Sequence, residues 1–110
     1  MEITRGDYDV FKFKRTMNGE VIETIPDKVY FTVKRSKYED NFLFQKRLNE
    51  GIIIDQDFIY NVEITPEDTN DLDFGEYIYD IEIVIGDKPK TIDKGIFEIT
   101  YEVTTAKNEV

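Results

Sequence analysis

The segment 65–85, TPEDTNDLDFGEYIYDIEIVI, limits what this chain can fold into more than any other. Thr65 suits a helix N-cap, Pro66 the first helical position, and Glu67 and Asp68 the first turn. Proline fits there because its missing N–H has no helical partner to lose, and acids suit the positive helix end. The pattern predicts one helical turn within 65–72, with Leu72 closing the bottom of a core. Gly75 then supplies a backbone angle that residues with side chains resist. Tyr77 and Tyr79 open a long alternating strand. A capped turn, a glycine, a tyrosine and a strand, in that order, carry a chain from one sheet to the sheet packed on it. The tyrosine ring is buried and its hydroxyl reaches back to upstream backbone.

Period-two alternation runs through the rest of the chain, and no long stretch reads as a helix. Residues 9–15 alternate around Phe11 and Phe13, and Asn18-Gly19 is a strong hairpin signal. Val29, Phe31 and Val33 face one way, Lys28, Tyr30, Thr32 and Lys34 the other. A polar loop at 36–41 leads to a less regular strand at 42–48, and Asn49-Glu50-Gly51 turns into three isoleucines. Phe58, Tyr60, Val62 and Ile64 form one inward row; Tyr77, Tyr79, Ile81, Ile83 and Ile85 form the longest. Phe97, Ile99, Tyr101 and Val103 complete the last strand, and 104–110 read as a polar, frayed tail.

About eight short strands at near-regular spacing predict an all-β, immunoglobulin-like β-sandwich of 7–9 antiparallel strands with Greek-key connections. One domain over 1–103 is expected, since no linker, repeat or low-complexity segment interrupts it. Pairing of the third main strand with the sixth sets Lys28 and Lys34 across from Asp80 and Glu82, contacts worth roughly 0.2–1 kcal/mol each. Tyr79 stands where an antibody domain places a cysteine. With no cysteine in the chain, packing rather than a disulfide must hold the core.

The 110 residues suffice for a real core, and fifteen Phe and Tyr argue for a folded chain. A net charge of −10 argues against nucleic acid or an anionic membrane as partner. Residues 1–50 hold ten bases and nine acids, residues 51–110 four bases and fifteen acids. The acidic half reads first as a solvated surface, and second as one side of a head-to-tail contact. The start of the chain shows no basic and apolar leader, so a protein made in the cytoplasm without a signal peptide is expected.

Chemistry is sparse. Histidine and cysteine are absent and Ser36 is the only serine, so no nucleophile–base pair can be assembled. Paired carboxylates remain open in principle, but the acids sit at outward or turn positions. Neither an enzyme nor a cofactor is expected. Asp68, Asn70, Asp71 and Asp73 are weak calcium candidates whose spacing misses the EF-hand pattern. Arg5-Gly6-Asp7 spells an integrin tripeptide and reads as turn chemistry. Tyr30, Tyr38 and one of Phe42 or Phe44 make a possible interaction surface.

Five segments together carry a family resemblance over most of 5–103. They are Arg5-Gly6-Asp7, the strand KVYFTVK at 28–34, TPEDT at 65–69, FGEYIYDI at 74–81 and KGIFEI at 94–99. The chain resembles the small immunoglobulin-like proteins of tailed bacteriophages and prophages of Gram-positive hosts. It is also similar to the N-terminal immunoglobulin-like module of phage baseplate upper proteins. The resemblance implies a non-enzymatic structural or adaptor part of a tail, baseplate, neck or decoration that ends in a virion particle. Its partners would be protein neighbours, with a homo-oligomer as one form. The sequence ends without a downstream receptor-binding segment, which favours a stand-alone decoration or connector. The alternative is a carbohydrate-binding module, calcium-assisted or not, using the exposed aromatics.

Overall fold

The computed structural model describes residues 1–103; the tail expected at 104–110 lies outside them. The chain runs β1 (Glu2–Thr4), β2 (Asp9–Lys14), β3 (Thr16–Met17), β4 (Glu20–Val21) and β5 (Lys28–Lys34). It continues through β6 (Phe44–Leu48), β7 (Gly51–Ile54), β8 (Ile59–Ile64), the turn α1 (Pro66–Thr69), β9 (Gly75–Ile85) and β10 (Lys88–Thr100). Eight strands form a ladder in the order β1-β10-β9-β5-β6-β7-β8-β2, and β3 pairs only with β4.

The ladder folds on itself between β6 and β7. Asn49 and Gly51 take positive φ of 66° and 101° there, and the Arg47 and Glu50 backbones exchange two hydrogen bonds. This places β7-β8-β2 over β1-β10-β9-β5-β6. Ring contacts that no ladder hydrogen bond requires show the two layers meeting. Phe11 of β2 is 6.1 Å from Phe97 of β10, and Phe13 of β2 is 6.2 Å from Phe31 of β5. With β2 and β8 in one layer and β5, β9 and β10 in the other, the arrangement is an immunoglobulin-like sandwich.

The expected inward rows fill the core: Val29, Phe31 and Val33 from β5, Tyr60, Val62 and Ile64 from β8, and Tyr77, Ile81 and Ile83 from β9. Phe97 and Ile99 of β10 complete it. Asn18 and Gly19 both have positive φ, as the two-residue hairpin between β3 and β4 requires.

Four expectations need correction. Two pairings are parallel: β1 with β10, because the first strand lies beside the last and runs the same way, and β6 with β7, across the fold line. Ile85 is exposed because it borders the Gly86 turn, and Tyr101 and Val103 are exposed because β10 ends at Thr100. Phe58 adopts φ 60° in the turn before β8 and is only half-buried. The register also differs. Glu82 pairs with Tyr30 and Asp80 with Thr32, while Lys28 and Lys34 fall opposite Val84 and Ile78. A slip of two residues leaves every side chain on the same face, so alternation alone cannot detect it.

Candidate functional site

The corner residues converge on α1. The Tyr77 hydroxyl donates to the Asp73 carbonyl at 2.7 Å, and Gly75 between them has φ 135°. Thr65 caps the turn, and its N–H and hydroxyl both donate to Asp68 Oδ2, at 2.8 and 3.1 Å. Pro66 begins the helix, and Leu72 packs half-buried against the core. Lys46 points inward from β6 and places its ammonium 2.7 Å from Asp68 Oδ2. Both side chains are largely shielded, so this ion pair ties β6 to α1. A side chain at Gly51 would collide with the Lys46 stem at 2.7 Å, which makes glycine necessary beside it.

Arg5-Gly6-Asp7 docks onto the same corner. Asp7 N–H donates to the Thr4 carbonyl, Gly6 has φ 81°, and Gly6 N–H donates to the buried Thr69 hydroxyl at 2.8 Å. The Arg5 guanidinium lies 4.2 Å from the centre of the Phe74 ring and donates to the Leu72 carbonyl. The tripeptide is a turn bound into the molecule.

Of the calcium candidates, Asp68 is taken up by Thr65 and Lys46, while Asn70, Asp71 and Asp73 are exposed. Among the described residues no group of three or more acidic side chains is gathered closely enough to hold a metal ion.

The aromatic candidates separate. Phe44 has to be withdrawn from the interaction surface: it is only 9% exposed, and its ring packs 5.9 Å from Phe97 and 6.4 Å from Phe31. The preceding Leu43 donates its N–H to the Val33 carbonyl, and this pairing sets Phe44 on the inner face. Phe42, half exposed in the loop before β6, and Tyr30 on the outer face of β5 share a depression of about 330 Å³. Asp40, Asp80, Glu82 and Gln45 line it as well. Burial pushes the Asp80 carboxyl above its usual range, against the pull of the Lys34 charge. Tyr38 projects into solvent with Lys37 5.2 Å from its ring centre.

Tyr79 stacks on Phe31 at 5.6 Å between the layers, and its hydroxyl donates to Asp93 Oδ2 at 3.2 Å. Burial first, and the Asp93 charge second, raise its phenol above the ordinary value.

Two features of the outer faces lie apart from the aromatic candidates. On β7-β8-β2, Tyr8, Val10 and Ile53 line a groove of about 530 Å³ beside Lys12, and Tyr8 donates to Glu63 at 2.9 Å. On the other layer, Ile78 and Ile96 are cross-strand partners on the outer side. The signal for them was present: isoleucine at outward positions of strands that otherwise alternate apolar-in and polar-out. No protein-family model matches the chain, and no curated protein matches it.

Proposed function

We propose that this chain is a non-enzymatic structural or adaptor module of a tailed-phage or prophage particle, made in the cytoplasm and built into the particle through protein neighbours. The observation that carries the assembly part is where its exposed apolar side chains lie. Ile53 is 62% and Ile96 51% exposed, each on an outer sheet face where it lines an open depression. Broad faces of this kind suit contact with another protein surface. The particle part rests on the resemblance carried by the five segments named above.

Faces support this role better than edges. Beyond the three residues that β1 covers, the outer edge of β10 carries Pro89, Lys88, Lys90 and a register shift between Thr91 and Asp93. Proline, edge lysines and bulges are devices that discourage strand addition. The test is mass spectrometry of gradient-purified particles from an induced culture of a bacterium that carries the gene. The chain at stoichiometric abundance in the particle band supports the reading, and its confinement to the soluble fraction overturns it.

A second reading, carbohydrate recognition, has one observation behind it. Tyr30 and Phe42 meet the carboxylates of Asp40, Asp80 and Glu82 and the Gln45 amide in a single depression. Aromatic faces beside hydrogen-bonding groups suit a sugar ring. Binding on a glycan array that is lost in Phe42→Ala would establish this reading in place of the first.

A further inference from the structure

The register of β1, β10, β9 and β5 arranges their outer face in rows. Glu2 pairs with Glu98 and Glu98 with Glu76, so three carboxylates stand side by side across three strands. In the next row Ile96 pairs with Ile78, which pairs with Lys34. In the row after that Lys94 pairs with Asp80. Along β10 alone, Glu98, Ile96 and Lys94 are successive outward positions, with the apolar residue in the middle.

The two ends of this strip differ in charge. A trough of about 620 Å³ runs over Ile78 and Ile96 and is rimmed by Lys34, Lys37 and Lys94, with Asp80 the one acid lining it among the described residues. At the other end the carboxylates oppose one another, and like charges directly across strands destabilise a sheet. Glu98 registers the strain. A hydrogen bond shared with Glu2 raises its carboxyl above the usual range, and the Glu2 and Glu76 charges add to this against a weaker pull from the chain's amino terminus.

We propose that this face is a two-fold self-association surface, on which two copies of the chain pack so that Glu98 of each meets Lys94 of the other across an Ile96–Ile96 contact. Two-fold interfaces are self-complementary: a patch meets itself with its ends exchanged. An axis lying along the Ile78–Ile96 row reverses the strand direction and brings Glu98 of each copy over Lys94 of the other. An axis along the strands would set carboxylates on carboxylates. On β9 the same operation brings Glu76 near Asp80, and on β5 it sets Lys34 opposite Lys34 of the other copy, so the favourable contacts fall on β10. Sheets packing face to face in this way keep their strands within about 30° of alignment. The occupant is therefore a second copy, which sets an opposite charge against Glu98 and Lys94 and an isoleucine against Ile96 without any further partner.

The inference rests on the reading of this sandwich as an assembly module. Its test is separate from the particle experiment: sedimentation equilibrium of the full chain at low salt, over a range of concentrations. Wild-type protein is expected to approach twice the 13.0 kDa chain mass. Glu98→Lys and Lys94→Glu are each expected to weaken self-association at least tenfold, because each homodimer sets like charges together twice. An equimolar mixture of the two variants is expected to recover the dimer, since every contact is again between opposite charges. Both positions lie on the surface, and far-UV circular dichroism checks that the variants fold. A wild-type monomer at every concentration, an assembly larger than a dimer, or a mixture no tighter than the separate variants overturns the proposal. A particle-bound chain that stays monomeric in solution would sink this interface alone, whereas a charge-swappable dimer absent from particles would sink only the particle reading.

Discussion

The Tyr77 hydroxyl donates to the Asp73 carbonyl 2.7 Å away, four residues upstream and across the Gly75 bend. This bond joins the end of the α1 turn to the start of β9, where the chain passes from one layer to the other. Tyr77→Phe keeps the ring in the core and leaves that carbonyl without its donor. A loss of about 0.5–1.5 kcal/mol is expected, the net worth of one hydrogen bond. Urea unfolding measures it, and an unchanged midpoint would show that the corner bond adds no stability.

Lys46 and Asp68 should respond unequally to substitution. Asp68→Ala leaves an ammonium shielded inside the sandwich and removes the acceptor for Thr65, so it should cost on the order of 3 kcal/mol, the low end for breaking a shielded pair. Lys46→Met keeps the packing of the stem and leaves Asp68 bonded to Thr65 at the positive end of α1. It should cost clearly less. Equal losses in thermal melts of the two variants would refute this asymmetry.

The acidic row predicts a pH effect with a definite sign. The folded-state pKa of Glu98 lies above its ordinary value, so folded protein holds that proton more tightly than unfolded protein does. This carboxyl therefore reduces stability as pH rises from the unfolded pKa through the folded one. Glu2→Gln removes the carboxyl partner that does most to raise the Glu98 pKa and leaves Glu98 free to pair with Lys94 of another copy. The variant should melt higher than wild type at pH 7, with the advantage fading as the solution is acidified. A constant difference at all pH values would rule out charge repulsion as its origin.

Asp55 predicts the opposite trend. Its carboxylate accepts hydrogen bonds from the Asn61 side-chain amide and from the N–H groups of Ile59 and Asp57, which hold its pKa below the usual value. A lowered carboxyl pKa contributes stability above the unfolded value, and that contribution is lost as pH falls through the folded one. Asp55→Asn should thus be less stable than wild type near neutrality and converge with it in acid. A variant whose deficit grows on acidification would contradict the assignment.

Local chemistry made parts of the candidate site legible before any coordinates. Thr65, Pro66 and Asp68 read as a capped turn because capping depends on neighbours in sequence, and Asn18-Gly19 read as a hairpin for the same reason. Tyr30 and one of Phe42 or Phe44 read as surface aromatics from sequence, and Tyr30 and Phe42 line one depression. Phe42 and Phe44 are two residues apart, so period two cannot separate them; the start of β6 at Phe44, which leaves Phe42 in the preceding loop, does. The Lys46–Asp68 pair gave no local signal, since its members are 22 residues apart and meet only when β6 lies beside α1.

Alternation and turn residues were enough to determine an all-β chain with its core rows on Phe31, Tyr60, Ile81 and Phe97. These are properties of each strand alone: period two sets the face, and burial of apolar area drives that face inward. Tertiary structure decided what lies beside what. Register placed Glu98 between Glu2 and Glu76, set Ile96 against Ile78, and moved Lys34 off Asp80. A two-residue slide preserves every inward side chain and so leaves little trace in the pattern of one strand. Only the packed sheet, with its turns and bulge in place, selects among the alternatives.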